Sequence, residues 1–130
     1  MASSPESNFE FDPVIYPRKL WVTYDATTEE LNAKFPNGDY YGNRFKDEDS
    51  YYAVTYHIGD ANGKGGVLIR FFNKEESMQP WNIAHEALHA AGRILQYVGI
   101  EADFENDEAF AYLTTWIVKC CCKVKEQKLI

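Results

Sequence analysis

A chain of 130 residues is long enough for one hydrophobic core and too short for two. Its 45% hydrophobic and 25% charged residues are the balance of a globular domain in water. Thirteen Lys and Arg against twenty Asp and Glu leave a net charge of −7, which repels phosphate and anionic lipid, so neither nucleic acid nor a membrane is an expected partner.

The N-terminal stretch MASSPESNFEFDP has no basic start and no apolar stretch, so residues 1–12 read as a flexible tail rather than a signal peptide. Residues 13–130 read as one domain. No apolar run approaches the roughly 18–20 residues needed to cross a bilayer. With no export signal, a reducing setting is expected: cytoplasm, or host cytoplasm or virion for a phage-encoded chain.

Arg18–Tyr24 (RKLWVTY) is β-branched and aromatic, a short strand. Thr27 then offers a hydroxyl cap to a short helix with Glu29 and Glu30 in its first turn, ending before the turn signal Pro36-Asn37-Gly38. Asp39–Asp49 reads as an exposed loop. Tyr51–Ile58 and Gly66–Phe72 read as two strands of a hairpin joined by the glycine-rich GDANGKGG. The tyrosines Tyr40, Tyr41, Tyr51, Tyr52 and Tyr56 read as core and strand material more than as a substrate groove.

Pro80 suits the first turn of a helix, and Ile83, Ala84, Ala87, Leu88, Ala91, Leu95 and Val98 follow at helical spacing, with Gly99 as the stop. A second long helix is expected over 106–125, with Phe110, Leu113, Trp116, Ile117 and Cys120 on its apolar side. The adjacent Cys120, Cys121 and Cys122 point in different directions on a helix and read as small filling residues, not as a disulfide or metal set. The order predicts an α+β domain: a small antiparallel sheet packed against two long helices.

Chemistry concentrates in His85-Glu86-Ala87-Leu88-His89. Histidines four apart share a helix face and reach one ion, and the Glu beside the first is placed to take a proton from water at that ion. A catalytic zinc uses three protein ligands and an open position. Candidates for the third are Glu101, Asp103, Glu105, Asp107 and Glu108; Glu108, in the first turn of the next helix, is favoured because a rigid element preorganises a site.

Eighteen residues separate His89 from Glu108. This spacing resembles the gluzincin metallopeptidases, notably the aminopeptidase-N type. Asn106-Asp107-Glu108-Ala109-Phe110-Ala111-Tyr112 is similar to their ligand helix with one inserted Asp, and to the Glu-bearing helix of ImmA-type peptidases. HEALHAAGRIL followed by EAFAYLTTWI resembles small HExxH proteins of bacteriophages and prophages. The resemblance covers about residues 66–120 and implies a minimal zincin-like peptidase: Zn2+ on His85, His89 and Glu108, with Glu86 as general base. A peptide or protein substrate is then expected, with a phage structural or host protein as partner. Where thermolysin-like relatives place a carboxylate four residues after the ligand Glu, this chain has Tyr112. Tyr112, Arg93 and His57 all remain as partners for a developing oxyanion. Gly66–Phe72 is the strand expected to pair with an extended peptide. The alternative function is a zinc-stabilised structural or interaction protein without turnover, such as a virion or assembly component.

Overall fold

The computed structural model describes residues 8–48, 52–59 and 65–127. Strands β1 (Asn8–Phe11), β2 (Lys19–Tyr24), β3 (Ala53–Ile58) and β4 (Gly66–Phe71) form one sheet in the order β1-β2-β4-β3. Helices α1 (Thr28–Lys34), α2 (Lys74–Ser77), α3 (Pro80–Tyr97) and α4 (Glu108–Glu126) complete an α+β domain.

The sheet is mixed, which corrects the antiparallel expectation. β1 pairs with β2 and β3 with β4 antiparallel, but β2 runs parallel to β4 with Leu20 opposite Val67 and Val22 opposite Ile69. The chain leaves β2 through α1 and returns through β3, and the strand inserted between them is the last one. β4 is therefore central and buried along its whole length. It is not an edge strand, which corrects the expectation that it pairs with an extended peptide; β1 and β3 form the edges. The helices also number four rather than three, because the single turn α2 joins the expected short α1 and the two long ones.

Residues 8–11 correct the expected tail. In NFEF the phenylalanines alternate with a charge: Phe9 stacks on Tyr24 and Phe11 meets the edge of Trp116. The Glu10 carboxylate accepts from Lys19 Nζ at 2.8 Å and Trp21 Nε1 at 3.0 Å. Residues 1–7 of that tail lie outside the described residues.

Side-chain alternation along β2 and β4 feeds two cores, one on each sheet face. Leu20, Val22, Val67, Ile69 and Phe71 pack with α3 and α4, while Trp21 and Leu68 pack with Leu31, Phe35 and Phe45. Thr27 and Glu30 cap α1 reciprocally, the Thr27 hydroxyl accepting from the Glu30 N–H and the Glu30 carboxylate from the Thr27 N–H. The following loop is exposed over residues 40–44, 46 and 47, as expected, with Phe45 as its buried anchor. Asn32 grips the backbone of Phe45 through two hydrogen bonds of 2.9 and 3.0 Å, and Phe45 is buried.

On α3, Ile83, Ala87, Ala90, Ala91, Ile94 and Leu95 are buried, whereas Ala84, Leu88 and Val98 are exposed. Its C-terminus closes in a Schellman arrangement: Gly99 N–H donates to the Gln96 carbonyl and Ile100 N–H to that of Leu95. Gly99 adopts φ +84° there. Arg18, itself buried, donates to the carbonyls of Ile58 and Gly66 and lies 4.0 Å above the Tyr97 ring, tying the sheet to this end of α3. No helix among the described residues is long and apolar enough to cross a membrane.

Two glycines on or after α3 are expected to respond oppositely to alanine. At Gly99 the left-handed backbone makes a Cβ costly, so Gly99→Ala should lower stability by about 1–2 kcal/mol. At Gly92 a Cβ meets nothing within 4 Å, so Gly92→Ala should raise stability by about 0.5–1 kcal/mol through helix propensity. Urea unfolding of both variants checks the signs; a loss at Gly92 would mean that position is not ordinary helix.

Candidate functional site

Successive helical residues turn by about 100°, so His85 and His89 share a face and Glu86 points away from it. On α3 this sends the imidazoles outward and Glu86 inward: the His85 side chain is 67% exposed and that of Glu86 9%. Glu86 meets the edge strand. Thr55 Oγ1 donates to its Oε1 at 2.7 Å, and Oε2 lies on the other side, 3.9 Å from His85 Nε2.

The two imidazoles stand edge to face with their Nε2 atoms 3.2 Å apart. Zinc held at about 2.0–2.1 Å from each nitrogen in a tetrahedron sets two such ligands roughly 3.3 Å apart. The spacing of the pair is therefore that of two ligands on one ion. The distance equally suits an N–H···N hydrogen bond between two neutral rings, in which one ring donates.

Glu108 is not gathered with the pair. Among the described residues no group of three or more His, Cys, Asp or Glu side chains is arranged to hold a metal ion. Glu108 is exposed as the first residue of α4, and Phe110, two residues on, lines the same cleft as His89. Glu101 lines that cleft too, whereas Asp103, Glu105 and Asp107 are exposed along the connector. The spacing of the two histidines suits one ion, whereas Glu108 lines neither cleft of the pair.

The histidines open onto two adjoining clefts. One, of about 390 Å³, is lined by Glu48, Ala53, Val54 and Thr55 on the edge-strand side and by His85, Glu86, His89 and Arg93 on α3. The other, of about 550 Å³, shares His89 and Arg93 and is otherwise mainly apolar, with Leu88, Leu95, Ile100 and Phe110 in its walls. Glu48 accepts from the Tyr56 hydroxyl at 2.6 Å. Burial, with that carboxylate second, pushes the Tyr56 phenol up to about 12, so it stays a neutral donor.

Of the three residues open as oxyanion partners, only Arg93 lines the cleft of the histidines. Tyr112 is exposed and lines a separate apolar groove with Pro13, Ile15, Tyr16 and Trp116. His57 lies half-buried on β3, its ring stacked 4.3 Å from that of Tyr40. Cys120 and Cys121 are buried and Cys122 partly so, matching small filling residues. Burial pushes the Cys120 thiol up to about 11 and that of Cys121 higher still, so neither is a ready thiolate. Tyr40, Tyr41 and Tyr52 are exposed, Tyr56 packs in the second core, and Tyr51 lies outside the described residues.

Sequence reasoning missed Thr55 and Glu48. A strand assignment alone does not say which of its residues face the helix. The alternation Ala53, Thr55, His57 against Val54, Tyr56, Ile58 separates the two faces once one contact is known. No protein-family model, curated protein or solved structure matches the chain.

His57 carries a pH prediction. Burial, reinforced by the charges of Arg18 and Arg93, holds its pKa below the ordinary histidine value. The unfolded chain then takes up a proton that the folded one refuses, so its contribution is intact above about pH 6.5 and is lost as pH falls through the folded pKa. Urea midpoints measured from about pH 7.5 to about pH 5 should fall less for His57→Phe than for the parent. Equal falls would show that His57 titrates normally.

Proposed function

We propose that this chain is a zinc-dependent peptidase of the HExxH type, with His85 and His89 holding the ion and Glu108 joining them from the start of α4. The observation that carries the reading is the pairing of two Nε2 atoms 3.2 Å apart with a buried carboxylate beside them whose second oxygen faces the pair. A bound zinc supplies a polarised scissile carbonyl and a more acidic water.

The chain's own residues do the rest. Glu86 Oε1 is tied to Thr55, which leaves Oε2 on the histidine side to accept the water proton and hand it to the leaving amine. Arg93 lines the same cleft and brings positive charge to the developing oxyanion. An extended peptide pairs along the outer side of β3, next to Thr55, in the β-augmentation mode. The described loops cover that side at one point, where Tyr40 N–H donates to the His57 carbonyl.

The test is cleavage of a peptide library by zinc-loaded parent and Glu86→Gln proteins, with zinc content measured on both. Zinc should be retained in the variant, because Glu86 is not a ligand, and hydrolysis should fall by about 10²–10⁴-fold. Equal cleavage by the two proteins sinks the mechanism. Zinc bound by both with cleavage by neither leaves the structural or interaction role.

A further inference from the structure

Among the described residues of the sheet edge, Thr55 is the one hydrogen-bonded to the proposed general base. Its Oγ1 lies 2.7 Å from Glu86 Oε1 and 3.3 Å from the Glu86 carbonyl oxygen. A hydroxyl has one proton to donate, and a carboxylate is the stronger acceptor, so the shorter contact is the bond and the longer one a close approach. The hydroxyl is itself placed firmly. Thr55 sits opposite Ile69 of the central strand, whose side chain is fully buried, and its β-branched side chain has restricted χ1.

Glu86 has few other restraints. No Lys or Arg lies within 4 Å of its carboxylate among the described residues, and His85 Nε2 stands 3.9 Å from it. A glutamate side chain has three rotatable bonds, so without a second anchor its carboxylate samples several orientations in the cleft.

We infer that Thr55 is a positioning residue: its hydroxyl pins Oε1 of Glu86, so that Oε2 is the oxygen presented on the histidine side. This inference rests on the peptidase reading for its kinetic consequence, but the carboxylate geometry stands independently of it. Thr55 touches neither substrate nor ion and acts only through Glu86.

Three variants and two measurements test it. Thr55→Val keeps the shape and branching and removes the donor; Thr55→Ser keeps the donor. In crystals of the metal-free proteins, Glu86 should stay on residue 55 in the parent and in Thr55→Ser and turn away in Thr55→Val. In peptide hydrolysis Thr55→Val should lower kcat by about 10–100-fold at unchanged KM, the scale of a misplaced general base. Thr55→Ser should restore most of the rate. Combining Thr55→Val with Glu86→Gln should add no further loss, since the hydroxyl acts through the carboxylate. An unmoved Glu86 in Thr55→Val, or equal losses for Val and Ser, would overturn the positioning role and assign Thr55 to packing. A Glu86 that turns away only in Thr55→Val, with a parent that cleaves no peptide, would uphold the positioning geometry and reject the peptidase reading alone.

Discussion

The close approach of α3 to the sheet sets everything that follows. Ala87, Ala90 and Ala91 are fully buried, and side chains this small let the helix lie near β4 and β3 with Ile83 and Ile94 filling the flanks. A larger residue at any of the three would hold the helix off the strands. At this separation Glu86, on the margin of the alanine face, reaches Thr55 of the edge strand, and the same helical turn lifts His85 and His89 into the open. Leu113, Ile117, Cys120 and Cys121 of α4 share this core, which brings the N-terminal turn of α4 to the cleft of His89.

Glu86 is the place where this packing runs against stability. A carboxylate removed from water without a cationic partner is destabilising by several kcal/mol in the extreme, and one hydroxyl offsets only part of that. Its surroundings include Cys121, whose buried thiol offers little solvation. An apolar residue of similar size would serve the core better. Glu86 nonetheless keeps its place at the margin of the core, beside two imidazoles whose Nε2 atoms stand 3.2 Å apart. The proposed peptidase gives Glu86 a role; a metal site held for structure alone would not need it.

Much of the fold was legible because local chemistry marks it. Pro80 opens α3 and Gly99 ends it in a left-handed turn, and Thr27 with Glu30 caps α1, each a signal read from a few adjacent residues. The parallel pairing of β2 with β4 carries no local signal, because α1 and β3 intervene along the chain. The interior position of β4 was legible in principle. GVLIRF is an almost unbroken apolar run, the mark of a strand covered on both faces, and taking it for an edge ran against that pattern. Residues 8–11 went unread because four residues with two phenylalanines give too short a period. In the site, the spacing of four fixed the histidine pair exactly as helix geometry requires. The distance to Glu108 depends instead on the irregular connector between α3 and α4, whose path residue counting does not specify.

The central claim is that His85, His89 and Glu108 share one zinc ion. Anomalous scattering at the zinc edge from crystals grown with zinc tests it most directly. The expected result is a single peak about 2.0–2.1 Å from Nε2 of both histidines, with a Glu108 carboxylate oxygen at about 2.0–2.2 Å. A peak elsewhere on the molecule, or none at the histidine pair with zinc in excess, would contradict the account.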